Sequence, residues 1–321
     1  SPGGATRVLT GLATDLEARP IERLALTASG RADVWHDASS APRDASTSAT
    51  TEDVARATGH LGAELVLGAF TLATHVGHLA RAPGFVERYG NRGIFLGSPG
   101  LRPEAATTID AGAKTATKKG PVSASAELVG FSTWASDLIV FVPQGAYGRA
   151  KATNVGEARI LGLEADARAS IAWVDIRASY TFLRTANDSE CDTTVPRRTG
   201  AACAAPPLPG RPGHDLVLDL GVTLGPARFR YGLDVVADLR ADLTGSVTVP
   251  ARALQSVGAK VDLPWRVGSE KITFALDVSN LADLRVATYA GVSGPVREPI
   301  GDLYEYPLPG RSFLLSARVA Q

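Results

Sequence analysis

From Asp215 to Leu224 the chain alternates polar and apolar residues. Leu216, Leu218 and Leu220 fall on one face of an extended ribbon, and Asp215, Asp219 and Thr223 on the other. Beyond the Gly225-Pro226 pair, Phe229, Tyr231, Leu233 and Val235 share one face, while Arg228, Arg230 and Asp234 share the opposite one. A side-chain period of two belongs to the β-strand, so each segment predicts a strand that is greasy on one side and charged on the other. A β-sandwich would bury those charges without partners, at high cost. A wall with lipid outside and water inside places both faces correctly. That is the pattern of a transmembrane β-barrel.

Thirteen such segments are predicted, at 5–17, 21–36, 59–67, 70–80, 104–117, 121–142, 152–168, 171–184, 214–224, 227–239, 254–264, 270–283 and 312–320. Short connections alternate with long ones. The short set is Ala18-Arg19-Pro20, Gly68-Ala69, Lys118-Lys119-Gly120, Ala169-Ser170, Gly225-Pro226 and Trp265 to Ser269; the long set is 37–58, 81–103, 143–151, 185–213, 240–253 and 284–311. Outer-membrane barrels turn tightly on the periplasmic side and loop widely outside, so the alternation also orients the chain. An odd strand number cannot close in antiparallel register, and an open edge in lipid leaves backbone groups unsatisfied. The expected fold is therefore all-β, the C-terminal portion of a larger antiparallel transmembrane barrel, with residues 1–321 as one partial barrel domain. The absence of methionine and of a signal peptide from the 321 residues agrees with a processed chain or a fragment.

Composition narrows the function. Lys plus Arg and Asp plus Glu number 33 each, and no basic block stands out, which argues against a nucleic-acid partner. Hydrophobic residues make up 45% of the chain, with no apolar run approaching the roughly 18 residues of a membrane helix. The 33 glycines and 20 prolines fit a chain of many turns. Cys191 and Cys203 both fall in the polar stretch 187–213, and two cysteines in one exposed loop of a secreted barrel predict a disulfide that staples it. His75 and His78, three apart on a strand, face opposite sides and would not share a metal; His60 stands alone. Trp35, Trp134, Trp173 and Trp265 lie near strand ends, where an aromatic girdle would sit. Glu164, Asp166 and Arg168 on one strand, and Asp175 and Arg177 on the next, are expected to form cross-strand pairs on the inner wall or to hold a plug. Nucleophile elbows, phosphate loops and metal-ligand spacings are not found, so no catalytic role, metal or cofactor is expected.

Five words in the sequence carry a resemblance. They are Arg81-Ala82-Pro83-Gly84-Phe85-Val86-Glu87-Arg88-Tyr89-Gly90, Pro99-Gly100-Leu101-Arg102-Pro103-Glu104, the run from Asn154 to Ile160 with Gly162 and Glu164, Asn280-Leu281-Ala282-Asp283, and Tyr306-Pro307-Leu308-Pro309-Gly310-Arg311. In this order and spacing they resemble the TonB-dependent outer-membrane receptors, over roughly residues 60–321. Two positions depart from the family: Ala282 replaces an aromatic residue, and the chain ends in Gln321 where such barrels usually end in an aromatic one.

The resemblance implies a barrel of about 22 strands in the outer membrane. It implies import of a scarce small-molecule ligand, such as a siderophore or cobalamin, captured by the extracellular loops. A TonB-type periplasmic energy transducer would be the partner, acting through a plug domain that precedes the barrel in the family and is not found in these residues. Lipid would contact the outer face. Arg81, Pro83, Glu87, Pro103, Glu104, Gly162, Glu164, Asn280, Leu281, Pro309, Gly310 and Arg311 carry over as structural motif positions, and no ligand-binding residue is assigned. The alternative is a passive porin-like channel.

Overall fold

A computed structural model describes residues 4–39, 50–90, 94–144, 149–190, 205–241, 243, 245, 247–267, 270–291, 294–299 and 308–320. The strands are β1 (Ala5–Ile21), β2 (Leu24–Ser39), β3 (Thr50–Leu67), β4 (Phe70–Arg81), β5 (Phe95–Leu96), β6 (Glu104–Lys119), β7 (Val122–Gln144), β8 (Arg149–Ile171) and β9 (Val174–Asn187). They continue as β10 (His214–Leu224), β11 (Ala227–Ala237), β12 (Leu239–Arg240), β13 (Thr248–Val249), β14 (Arg252–Val267), β15 (Glu270–Ser279), β16 (Val286–Gly291), β17 (Gly294–Pro299) and β18 (Ser312–Ala320). A short α-helix, α1 (Phe85–Tyr89), follows β4, and one turn of 3-10 helix (Asp188–Glu190) follows β9.

The main sheet runs β1-β2-β3-β4-β6-β7-β8-β9-β10-β11-β14-β15-β18, each strand antiparallel to its neighbour, with β5 added off this path. All thirteen predicted strands are present. β1 and β18 end the order and do not pair with each other, so the sheet is an open wall. The β12–β13 and β16–β17 hairpins lie in the long connections after β11 and β15.

The register keeps one face charged across the whole sheet. Asp219 stands between Arg177 and Gly232, and Arg230 between Gly221 and Gly258. Asp277 faces Gly258, and Arg318 faces Thr273. The same face holds Asp110 opposite His75 and Lys114 opposite Glu127. The opposite face is apolar, with Leu220 beside Tyr231, Phe274 beside Ala317, and Leu276 beside Leu315. No second layer covers that face among the described residues: Leu12, Leu16, Phe313 and Leu315 are 80%, 68%, 68% and 73% exposed. In water each exposed square ångström would be unfavourable by about 25 cal/mol, whereas lipid accepts it. Buried apolar residues instead gather beneath the long loops. Ala135, Val140, Val155, Ala158 and Leu208 form one cluster there, and Leu101, Ile139 and Ala152 another.

Several predicted boundaries move. The first turn is Glu22-Arg23, not 18–20, because Pro20 is absorbed into a bulge between Ala18 and Ile21, where its missing N–H costs no ladder bond. The turn predicted at 169–170 lies at Ala172-Trp173, with Ala172 at φ 53°, a conformation that alanine does not advertise. The turn after Lys119 is Gly120-Pro121, one residue later than expected. The predicted loop 37–58 is mostly strand: β2 and β3 stay paired from Leu24↔Leu65 out to Ser39↔Thr50. Trp35 points inward, 8% exposed between Leu9 and Val54, and so leaves the girdle. Trp134, Trp173 and Trp265 are 49%, 56% and 68% exposed. The Cys191–Cys203 pair lies outside the described residues.

The two faces make opposite demands on a new charge. Leu218→Arg, in the middle of the lipid-side band of β10, should lower the unfolding free energy of the full-length barrel in vesicles by about 2–4 kcal/mol. Val217→Arg, one residue away on the wet face, should change it little. Urea titrations of both variants check the difference.

Candidate functional site

The segment 82–103 joins adjacent strands β4 and β6, yet it travels far from both. Its helix α1 sits against the inner face of β1, β2 and β3 at their long-loop ends, and β5 then pairs in parallel with β8 through Phe95↔Ala150 and Leu96↔Lys151. It is a strap across the mouth of the wall, on the side of the long loops.

An ion-pair knot fixes the helical end of the strap. Arg88, at the end of α1, reaches Asp37 of β2 at 3.0 Å and Glu52 of β3 at 2.6 Å. Its side chain is 4% exposed and that of Asp37 7%, so the pair is buried. Arg7 of β1 donates to both oxygens of Asp37 at 2.6 Å and to the carbonyl of Pro83 at 2.8 Å. Its guanidinium also lies 5.4 Å from the Phe85 ring centre. Two guanidinium groups thus share one carboxylate, and Glu52 supplies the second negative charge.

The family words fasten the rest. Arg81 donates to both oxygens of Glu87 at 2.9 and 3.0 Å and to Glu104 at 2.7 Å. Glu87 also accepts the Gly84 N–H, closing the first turn of α1, and the Ile139 N–H donates to Glu104 at 2.9 Å. Burial pushes the Glu87 carboxyl up, but the bonds from Arg81 and Gly84 outweigh it and hold the group below the usual carboxylate range. Pro83 and Pro103 are buried. Asn154 grips the strap further on: it accepts from the Arg102 N–H at 2.9 Å and donates to the carbonyls of Arg102 and Asp137 at 3.0 and 2.6 Å.

A second fastening holds the chain ahead of β18. Asn280 donates to the carbonyls of Leu284 and Pro309 at 3.0 Å each and accepts from the Leu284 N–H. Asp283 pairs with Arg285 at 2.7 Å and accepts the Arg311 N–H at 2.7 Å. These bonds, the Arg285 one foremost, hold the Asp283 carboxyl down to about 2. The Arg285 guanidinium lies against Gly310, where a Cβ would stand 2.6 Å from its Nε. Leu281 donates its N–H to the Gln255 carbonyl.

Below the strap the inner wall is a field of charge. Arg228 reaches Asp175 at 3.3 Å and Arg230 reaches Asp277 at 3.2 Å, each across an intervening strand. Glycine permits the crossing. Gly258 stands between Arg230 and Asp277, and a Cβ there would lie 2.6 Å from the carboxylate. Gly162 similarly lets the Phe131 ring lie flat over its strand. Lys114 pairs with Glu64 at 3.0 Å, and His75 with Asp110 at 2.8 Å. His75 and His78 do face opposite sides; His60 bonds Ser29.

Of the charges expected to pair across strands or to hold a plug, Asp175 is paired, with Arg228 two strands away. Arg168 stands directly opposite Arg177 on the neighbouring strand, and neither makes an ion pair among the described residues. Like charges in that position repel. Beside them a recess of about 400 Å³ is lined by Arg177, Asp219, Arg228, Arg230, Lys260 and Asp277, among others. Arg7 and Asp37 escaped the sequence reading, and Arg88 entered it only within a family word. The signal available was the inward parity of Arg7 and Asp37 at paired strand ends, with Arg88 directly following a motif glutamate.

A single-layer antiparallel sheet with one apolar face, one wet charged face, tight turns at one end and packed loops at the other is the wall of a membrane β-barrel. Comparison with known proteins agrees. The profile of the TonB-dependent receptor-like β-barrel matches residues 5–281, and the chain belongs to that family of outer-membrane barrels. Solved structures share the fold. The siderophore receptor PiuA from Acinetobacter baumannii superposes with a TM-score of 0.70 at 18% identity, over 98% of this chain and 43% of its own. The copper transporter OprC gives 0.68 at 20%, over 98% and 47%. The hemophore receptor HasR from Serratia marcescens, solved with its hemophore HasA and heme, gives 0.62 at 16%, over 98% and 51%. The chain therefore spans about half the length of the structures it resembles. No protein of curated function matches it in sequence.

Two outcomes follow from the fastenings. Arg88→Met should free the strap, lowering its opening free energy by about 3 kcal/mol. Amide exchange should then quicken over residues 84–90 and 94–101 while β6 stays protected. Asp283 has a depressed pKa, so its contribution is full above the ordinary value of 3.8 and is lost as pH falls through about 2. The 280–285 segment should hold its amide protection at pH 3.5 and lose it near pH 2, whereas Asp283→Asn should show no such step.

Proposed function

We propose that this chain is wall and mouth of a receptor that imports a scarce ligand, a siderophore, cobalamin or similar compound, across the outer membrane. Import is driven by a TonB-type transducer in the periplasm acting on a plug seated inside the wall. The observation that carries this reading is the strap. A segment pinned across the mouth by a buried ion-pair knot suits ligand capture above a blocked pore better than free diffusion through an open one.

The inner wall supports the same reading. Arg168 and Arg177, set against each other without acidic partners among the described residues, would be relieved by carboxylates on a plug. The recess beside them gives such a plug a surface with charges of both signs. The ligands of PiuA, OprC and HasR differ from one another, so the fold they share with this chain leaves the ligand class to the loops. Cys191–Cys203, as a disulfide, would stiffen one of those loops.

Uptake by cells expressing the complete gene tests the reading. Accumulation of the ligand should stop when the transducer is deleted or an uncoupler is added. Uptake unchanged by both would replace this reading with a passive porin-like channel.

A further inference from the structure

The outer face changes character at one height. On β8, six outward positions from Ile171 to Leu161 are alanine, leucine or isoleucine, and the next is Arg159. On β9, five from Val174 to Phe182 are apolar or aromatic, and the next is Arg184. On β10 the run from Leu224 to Leu216 is apolar and ends at His214. Ten to twelve residues at about 3.3 Å each, tilted by about 40°, climb roughly 25–30 Å from the periplasmic turns. That is the thickness of the apolar band. Arg159, Arg184 and His214 therefore stand where acyl chains give way to outer-leaflet headgroups.

We propose that Arg184, with Arg159 and Trp134, forms an outward-facing site for the phosphate of an outer-leaflet lipid. Arg184 is exposed and makes no ion pair among the described residues. On the antiparallel ladder it faces Leu161, and Arg159 faces Ala186, so the two arginines are diagonal neighbours. Arg159 is held in place by Asp188 through two bonds of 2.6 and 2.8 Å. Trp134 stands directly opposite Arg159 and is 49% exposed. Below Arg184 an aromatic floor is built from Tyr180, Phe182 and His214. The Tyr180 hydroxyl is 2.8 Å from the His214 ring nitrogen, and the Phe182 and His214 ring centres are 5.4 Å apart.

The acids nearby do not compete for Arg184. Asp188 is committed to Arg159, and Glu157 is two positions further from the membrane on β8. A planar guanidinium offers a fork of donors that matches phosphate oxygens. The occupant is a lipid and not a free anion because the site runs directly into the band below it, where Leu161 and Leu163 are 53% and 38% exposed. The inference rests on the outer-membrane setting and is independent of what the barrel imports.

Native mass spectrometry of the full-length gene product in mild detergent tests it, with diphosphoryl lipid A, its dephosphorylated form and inorganic phosphate as probes. The intact protein should retain the diphosphoryl lipid in preference to the other two. Arg184→Gln should weaken retention about tenfold, and Arg184→Lys should restore part of it. Lys271→Gln, on the inner face, should leave it unchanged. Heat-modifiable migration on gels confirms that each variant is folded. Equal retention by Arg184→Gln, equal retention of the dephosphorylated lipid, or a preference for inorganic phosphate would overturn the proposal.

Discussion

The backbone hydrogen-bond ladder is the constraint on which everything else rests. In hydrocarbon an unpaired N–H or C=O costs several kcal/mol, so each strand must be paired along its length. Pairing fixes register, and register fixes which side chains meet lipid. From Asp110 beside His75 to Arg318 beside Thr273, one unbroken choice of parity keeps charge on the inner face. A slip of one residue in any strand would reverse its two faces. Among the described residues the buried apolar clusters lie beneath the loops, so the wall itself offers no core there to correct such an error.

The two ends of the wall solve different problems. At the periplasmic end, pairs such as Gly68-Ala69 and Gly225-Pro226 reverse the chain with little else. At the other end the loops must be held in definite places although they cross wide gaps. Buried or bidentate ion pairs, Arg88 to Asp37 and Arg81 to Glu87, and amide clamps such as Asn154 and Asn280 supply that order. The family words in the sequence are the fasteners of this end. Their spacing is set by where a loop must be tied.

Strand number, facing and the sequence words were legible because each rests on local pattern. Pattern failed where tertiary context decided. Ala172 takes a left-handed turn conformation with no glycine to announce it, and Pro20 hides in a bulge. The far half of the β2–β3 hairpin read as loop because its polar residues, Asp37 and Glu52 among them, are there to receive Arg88. Trp35 looked like a girdle residue from its place near a strand end; its inward parity was the better guide. The knot at the mouth joins residues 7, 37, 52 and 88, and no local window of sequence brings those together.

The flat ion pairs of the inner wall have a mechanical consequence. Arg230 and Asp277 lie across Gly258, and Arg228 and Asp175 span β10, so each pair ties two strands that share no backbone bond. Such ties run around the circumference, perpendicular to any pull along the axis of the pore. They act as hoops on a cask. A load drawn inward through the pore would leave them nearly unstretched, while a load that spread the strands apart would meet them at once.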